Sequence, residues 1–577
     1  MKKIAKQLLI MFLTIFLIKF ILSLLIKSPS IFGDEYGYAK MARSFFYLGQ
    51  ISVHNIPSSF YPPLYPIILS ISYLFKNMNL VYISFKFLNS ILSTLILIPA
   101  YLLAREFFSE KKSLLISLII GIFPANFSIV PYIMSENLFY PLFLFSIYFI
   151  YKSFTNNELK WDILSGLFIG LTVLTKVSGL VLVLSTIIIF LYKIYKKQFN
   201  EIKKKPFAAA MFIITILPWA IRNKIVFNAN IFSTKILIGG YSKAINSNAI
   251  FNLPGFFTWI LLYLSFLVLA SGIVYFIFNI HLISYRKEIK DKKLIFILLS
   301  LITIILEIIL NAYLAAGSIS KGYPSIIPWI TGRPIGRYID VVLPLIILNG
   351  FIGFEYFNNK IKKKFTLPFI GTGILLLIGT QLTLFPLFPL NNQSLTSIGL
   401  LKYIIEFLIL RKTSFDIILN YYSIIIISVL FISMLCLIYY MMIKNKMSIK
   451  KIIYLLLIFF ILTSIVNLGI TAYNSKTNWY DKEQMQLGIY FNSLNPNVND
   501  VVLFDIRDCT GKITTEDQNS SLCNVDDSLT IAGFWMNSNI KIDSVNDLNG
   551  INYVISKHKL DLEILKSTKN GIYLYKV

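Results

Sequence analysis

Apolar runs of about 20 residues, the length that crosses a bilayer as a helix, recur along most of this chain and leave little room for any other fold. They fall near 8–27, 80–104, 112–131, 137–154, 163–175, 177–195, 206–221, 256–283, 294–314, 338–357, 365–388, 417–443 and 450–472. Short basic clusters separate them: Lys2/Lys3/Lys6, Arg105…Lys112, Lys152…Lys160, Lys193…Lys205, Arg286…Lys293, Lys360…Lys364 and Lys444…Lys451. Backbone in hydrocarbon must satisfy its own hydrogen bonds, so segments this long and apolar read as helices. Only 14% of the 577 residues are charged, where a soluble chain carries about a quarter. The expected fold is a polytopic α-helical membrane protein of about thirteen spans.

Two assignments need argument. The opening MKKIAKQ and its apolar run imitate a signal peptide. The run is longer than a typical signal core, however, and no small-residue cleavage site follows, so it reads as a retained first span. Residues 163–195 are too long for one helix and short for two. A tight hairpin turning at Lys176-Val-Ser-Gly179 keeps Lys193–Lys205 on the same side as the other basic clusters. The positive-inside rule makes that side the cytoplasm. The N-terminus is then cytoplasmic, the C-terminus is extracytoplasmic, and the expected location is the plasma membrane.

The net charge of +26 does not point to nucleic acid. From Lys476 to the end there are 10 Lys+Arg against 13 Asp+Glu, a net of −3, so the rest carries 44 against 15, a net of +29. That excess lies in the loop clusters, where membrane topology requires it.

The chain divides into a transmembrane part, 1–475, whose first external loop spans 28–79, and an extracytoplasmic α/β domain, 476–577. In the latter Tyr480–Leu494 reads as helix. Val501–Ile506, Leu529–Trp535, Ile551–Ser556 and Gly571–Val577 read as β-rich runs between Asn/Asp/Gly turns. Cys509 and Cys523 lie in one polar loop and are a disulfide candidate in an oxidising compartment, with two free thiols the alternative. Asn392-Gln393-Ser394 and Asn519-Ser520-Ser521 are glycosylation sequons. Cys436, inside a span, reads as packing.

The chemistry concentrates in the first external loop. Adjacent carboxylates, Asp34 and Glu35, follow the first span. An amphipathic run comes next, with Tyr38, Ala42, Phe45 and Phe46 on one side and Lys40 and Arg43 on the other. The loop then reaches the cluster Tyr61-Pro62-Pro63-Leu64-Tyr65-Pro66. Those prolines and tyrosines read as structure at the membrane interface, with Tyr61 and Tyr65 able to line a groove. His54 reads as a polar loop residue. Under the proposed topology Glu136, Lys176, Arg222, Arg333 and Arg337 also fall at the external face. Arginines left outside against the charge bias are most simply explained by binding an anion. Two acids and several cations at one surface suit an uncharged acceptor hydroxyl and a phosphate leaving group.

In that order and sidedness the motifs resemble the glycosyltransferase-C superfamily. Within it the chain is most like the protein mannosyltransferases, aminoarabinose transferases and RgtA/B/C/D-like integral membrane enzymes. The resemblance is carried by Asp34-Glu35, Pro62-Pro63-Leu64-Tyr65-Pro66, Ser135-Glu136-Asn137, Gly170-Leu-Thr-Val-Leu-Thr175-Lys176, Pro218-Trp219-Ala-Ile-Arg222-Asn223, and Gly336-Arg337-Tyr338 leading into Leu343-Pro344-Leu345. It covers roughly residues 1–360, and more loosely the later spans and the external tail. It implies inverting transfer of a sugar from a polyprenyl-phosphate donor to a glycan, protein or lipid acceptor on the external face. Asp34 corresponds to the base that takes the acceptor's proton, and Glu35 would orient substrate or Asp34. Arg337, with Tyr338, corresponds to a position near the carrier phosphate. Arg222, Lys176 and Arg333 are further cations for it, and Glu136 is a substrate-site acid or only an N-terminal helix charge. The chain lacks the Trp-Trp-Asp motif of oligosaccharyltransferases and an Asp-x-Asp in the first loop. No metal or cofactor is therefore required, with a divalent ion on Asp34 and Glu136 as the alternative. The competing function is a lipid-linked glycan transporter or flippase; against it, no repeated halves are evident. A membrane scaffold is the third reading, and it leaves the external arginines unexplained. The geometric question is whether Asp34 and Arg337 face one another across a sugar-sized gap.

Overall fold

A computed structural model describes residues 2–30, 33–228, 253–285, 289, 291–316, 335–356, 366–381, 390–411, 421–444, 449–505, 507, 528–546 and 548–577. Arg333, Cys509, Cys523 and the Asn519 sequon lie outside the described residues.

The membrane part opens with α1 (Lys2–Ser23) and α2 (Gly33–Leu48), then a two-residue hairpin, β1 (Ser52–Val53) and β2 (Ile56–Pro57), and α3 (Leu64–Leu69). There follow α4 (Met78–Thr94), α5 (Leu97–Arg105), α6 (Glu110–Gly121), α7 (Pro124–Ser128), α8 (Glu136–Thr155), α9 (Leu159–Val173), α10 (Leu180–Tyr195) and α11 (Lys205–Phe227). The second half runs through α12 (Leu253–Ala270), α13 (Val274–His281), α14 (Asp291–Ala316), α15 (Leu343–Tyr356), α16 (Thr366–Gln381), α17 (Thr396–Leu410), α18 (Tyr421–Ile443) and α19 (Ile449–Asn474). Among the described residues nine helical segments are long and apolar enough to cross a membrane. Their outward faces, such as Ile213, Ile214, Leu217 and Ile221 on α11, are exposed leucines and isoleucines, the surface that lipid rather than water covers.

The hairpin of residues 163–195 forms as α9, a short 3₁₀ turn at Val177–Gly179, and α10. Other spans depart from the expected single helices. The run 256–283 is broken at Gly272, whose φ of 73° suits glycine; a Cβ there would lie 2.3 Å from Leu456. Pro124 ends the 112–131 run and starts α7. The helix α17 was not anticipated. It is 15 residues long and carries Lys402 and Glu406, which pair at i,i+4 and interrupt the apolar signal.

Ion pairs tie the basic clusters together at one end of the bundle. Glu355 at the end of α15 meets Lys112 of α6 at 2.9 Å and Lys293 of α14 at 3.5 Å. Glu106 meets Lys152 at 3.0 Å, and Asp162 meets Lys205 at 2.6 Å. Because consecutive helices run in opposite directions, the N-terminus of α8, the α9–α10 turn, the C-terminus of α11 and the turns before α15 lie at the other end.

Over that other end sits a mixed five-stranded sheet. Its strands are β3 (Val501–Asp505), β4 (Asn539–Asp543), β5 (Tyr553–Ser556), β6 (Glu563–Ser567) and β7 (Tyr573–Lys576), in the order β4-β3-β5-β7-β6. The first three are parallel, while β7 is antiparallel to β5 and β6. Two helices accompany it, α20 (Glu483–Ser493) and α21 (Ser528–Phe534), crossing closely at Gly488, where a Cβ would lie 2.4 Å from the Ala532 carbonyl. The run Leu529–Trp535, expected to be β-rich, is therefore mostly helix. Ile531, Phe534 and Trp535 bury against the first external loop, while Ala532 and Met536 bury against the sheet, and burial on two sides overrides strand propensity.

Candidate functional site

The site begins at the first turn of α2. Asp34 lies there with its side chain 31% exposed, while Arg337, from the 3₁₀ turn Gly336–Tyr338, is 6% exposed. An Arg337 guanidinium nitrogen donates to Asp34 Oδ2 at 3.0 Å, and the Tyr61 hydroxyl donates to Asp34 Oδ1 at 2.6 Å. The two charges thus touch instead of facing each other across a sugar-sized gap. Opposite charges with little water between them attract strongly enough to close on one another. Burial works against the Arg337 charge, but the carboxylates of Asp34 and Glu136 override it and hold the guanidinium above its ordinary range.

Glu136 starts α8 and Lys176 starts the α9–α10 turn. Their side chains form a buried pair at 2.7 Å. The Tyr338 ring lies beneath both cations, 5.0 Å from Lys176 Nζ and 5.2 Å from the Arg337 guanidinium carbon. Five of the residues singled out from the sequence, Asp34, Glu136, Lys176, Arg337 and Tyr338, therefore converge from four separate chain segments.

Two others are engaged elsewhere. Glu35 is 1% exposed. Its Oε2 accepts from the Ser30 amide at 2.6 Å and from the Ser30 hydroxyl, and its Oε1 accepts from the Ile133 amide at 2.8 Å. Burial, reinforced by the charge of Asp34, pushes its carboxyl up to about 7 against the opposing hydrogen bonds. It ties α2 to the segment before α8. Arg222 donates to the carbonyls of Ser58 at 2.9 Å and Ile51 at 2.7 Å, and to Asn223 Oδ1 at 2.8 Å. It braces the loop that delivers Tyr61. Beside it a cavity of about 600 Å³ is lined by Ile51, Pro63, Ile67, Leu174, Pro218 and Trp219, among others. His54 sits in the β1–β2 turn with its Nε2 2.6 Å from the Tyr36 hydroxyl, apart from Asp34.

Three features were not legible as site residues. Tyr61, read as interfacial structure, holds Asp34 directly, and Tyr65 donates to Asn89 at 2.9 Å instead of lining a groove. Lys40 and Arg43, expected on a polar face of α2, are both buried, because the sheet domain covers that face. Glu307, fully buried on α14 beside Asn311, lies within electrostatic range of Lys176. A lone acid inside an apolar span was the available signal for it. The Asn392 sequon is buried as well. Its Oδ1 accepts from the Gly336 amide at 3.3 Å, and the Asn391 carbonyl accepts from the Arg337 amide at 3.3 Å, so this side chain supports the Arg337 turn and presents no glycan acceptor. A Cβ at Gly336 would lie 2.2 Å from the Phe266 ring, which leaves glycine the residue that fits there.

Among the described residues no group of three or more His, Cys, Asp and Glu converges. Asp34 and Glu136, the pair considered for a divalent ion, each have a cation as their partner.

These observations define a many-helix membrane protein with a polar, charge-paired site at one end of the bundle, beneath a small α/β domain. Residues 55–231 match the family model of dolichyl-phosphate-mannose-protein mannosyltransferases. No curated protein matches the chain in sequence. Among solved structures, ArnT from Cupriavidus metallidurans bound to undecaprenyl phosphate is similar over 99% of this chain and 98% of its own, with a TM-score of 0.57 and 12% identity. The apo form of the same protein gives 0.52 and 10% over the same coverage. The Archaeoglobus fulgidus oligosaccharyltransferase in its apo form is more distant, with a TM-score of 0.44 and 11% identity over 94% of this chain and 69% of its own. The chain has the fold of ArnT over nearly its whole length, and the match to the mannosyltransferase family model lies within that fold at residues 55–231.

Proposed function

We propose that the chain moves a sugar from a polyprenyl-phosphate donor to the hydroxyl of a glycan, protein or lipid acceptor, on the extracytoplasmic face and with inversion. The observation that carries this is the meeting of a proton-accepting carboxylate and a buried guanidinium at 3.0 Å. The carrier phosphate takes the Arg337 guanidinium from Asp34, since an arginine fork binds phosphate oxygens bidentately and stabilises the charge that grows on the leaving group. Asp34, still oriented by Tyr61, accepts the acceptor's hydroxyl proton as its oxygen attacks the anomeric carbon. The bond from that carbon to the phosphate oxygen breaks, and its electron pair leaves on the carrier phosphate. A single displacement forms no covalent glycosyl-enzyme.

Lys176, held by Glu136, adds positive charge beside the phosphate, and the Tyr338 ring faces both cations. Glu35 and Arg222 act as braces. The roughly 600 Å³ apolar cavity receives the first part of the carrier's chain, and the binding of undecaprenyl phosphate by ArnT, which has this fold, supports that choice of donor. No step is routed through a metal; Asp34 and Glu136 are the acids that would hold a divalent ion, and in the resting site Arg337 and Lys176 occupy them. The charge bias of the loops favours a cytoplasmic N-terminus and an external sheet domain.

Incubating purified protein with radiolabelled polyprenyl-phosphate sugars and candidate acceptors tests the reading. Transfer that Asp34→Asn abolishes without loss of expression supports it. Movement of carrier lipid between leaflets with no sugar transfer would replace it with a transporter.

A further inference from the structure

The sheet domain grips α2 through two buried cations. Lys40 Nζ donates to the Met536 carbonyl at 2.6 Å. Arg43 uses three nitrogens on three acceptors: Nε on Asn537 Oδ1 at 3.2 Å, Nη1 on Asn539 Oδ1 at 3.1 Å and Nη2 on the Val498 carbonyl at 2.8 Å. All four acceptors are neutral. The same loop bridges α2 to the segment before α4, where Asn537 Nδ2 donates to the Tyr47 hydroxyl of α2 at 3.2 Å and to the Lys76 carbonyl at 2.8 Å. Asn492 Oδ1 accepts from the Met78 amide at 3.0 Å, and the rings of Phe534 and Trp535 meet the edge of Tyr82 at 5.8 and 5.9 Å. Tyr36, one residue after Glu35, packs on Gly533, where a Cβ would lie 2.9 Å from its hydroxyl.

If adhesion were all that mattered, this arrangement would be an odd choice. Burying two like charges three residues apart without an anion is unfavourable, and apolar side chains of similar volume hold domains together at lower cost. What directional hydrogen bonds to fixed acceptors supply, and an apolar patch does not, is a single rotation and register of the helix. Asp34 occupies the first turn of that helix, six residues before Lys40. Rotation of α2 about its axis would swing the carboxylate away from Tyr61 and Arg337.

We propose that Lys40 and Arg43 are positioning residues through which the sheet domain sets the orientation of α2, and with it the place of the Asp34 carboxylate. The proposal rests on the catalytic reading of Asp34 above, but the clamp itself is measurable without any sugar transfer. Neither residue touches substrate. The domain is then part of the transferase site and not a separate module.

The test uses the full chain in nanodiscs, comparing wild type with Arg43→Ala, Arg43→Lys and Asn537→Ala, the last placed on the domain side in case the arginine variants fold poorly. Hydrogen–deuterium exchange reports α2, residues 33–48, against α8 and α9 as internal controls. Arg43→Ala and Asn537→Ala are expected to speed exchange in α2 by about tenfold or more, with the control helices unchanged. Arg43→Lys, whose compact ammonium cannot span the three acceptors that the planar guanidinium fork reaches, should recover little. With an active donor and acceptor, kcat should fall about 10- to 100-fold while the KM for donor stays near wild type, the pattern of a displaced base and an intact binding site. Exchange in α2 that matches wild type in both alanine variants overturns the clamp. Loosened α2 with unchanged kcat overturns its role in placing Asp34. Wild-type protein that transfers no sugar, with α2 still loosened in the alanine variants, removes the catalytic reading and leaves the clamp.

Discussion

Replacing Asp34 with Asn should push two measurable quantities in opposite directions. In the structure Arg337 is committed to Asp34 at 3.0 Å, so a carrier phosphate has to displace or share that carboxylate. Two unit charges about 4 Å apart attract by about 4 kcal/mol at an effective dielectric of 20. The Asp34 side chain is 31% exposed, and exposed pairs retain no more than about 1 kcal/mol, which places this pair at about 1–2 kcal/mol. Asparagine removes the charge but keeps an acceptor for the Tyr61 hydroxyl, so the local geometry survives. Freed from its partner, Arg337 should bind carrier phosphate roughly 5- to 30-fold more tightly, at about 1.4 kcal/mol per factor of ten. Transfer should meanwhile fall by about 10²–10⁴, the contribution of a positioned base. Titrating undecaprenyl phosphate into protein in nanodiscs, followed by intrinsic fluorescence, gives the first quantity, and turnover of a radiolabelled donor gives the second. An asparagine variant that binds the phosphate no better than wild type and still transfers sugar would show that the pair is only structural.

Three further outcomes are expected. Glu35, pushed up to about 7 from an ordinary 4.5, stabilises the fold fully below pH 4.5. That contribution, at most about 3 kcal/mol, is lost as pH rises through 7; thermal unfolding of Glu35→Gln in detergent should lack this slope, and identical slopes in the two proteins would contradict the assignment. Gly336→Ala should destabilise by about 1–3 kcal/mol through overpacking against Phe266 and weaken carrier-phosphate binding by shifting Arg337; equal unfolding temperatures and affinities would refute it. Arg222→Met should cost about 2 kcal/mol by leaving the Ile51 and Ser58 carbonyls unserved while affecting phosphate affinity less than Arg337→Met; the reverse ranking would make Arg222 the phosphate ligand.

How far the site could be read from the chain depended on the kind of signal. Asp34, Glu136, Lys176 and Arg337 stood out because charge is costly at a membrane boundary and rarely placed there without use. Their motifs were local, and sidedness followed from counting spans. Glu35 and Arg222 carried the same signal but serve as braces, since a sequence does not say whether a charged group turns toward a ligand or toward its own backbone. Tyr61 was hidden for the opposite reason, because an interfacial tyrosine is common and its partner lies 27 residues away. The run Leu529–Trp535 misled because apolar residues buried on two sides lose the periodicity that separates helix from strand.

What the amino-acid sequence determined by itself was the class of molecule: apolar runs long enough to span lipid, basic clusters sorted to one side, and an acidic, turn-rich tail. These are properties of segments, set by the transfer of side chains between water and hydrocarbon, and they need no knowledge of which segment lies beside which. Only the tertiary structure decided the pairings: Arg337 on Asp34, 303 residues apart, and Arg43 on Asn537, 494 residues apart. Electrostatic attraction and hydrogen bonding act over a few ångströms, so their partners are fixed by packing, which local patterns along the chain do not encode.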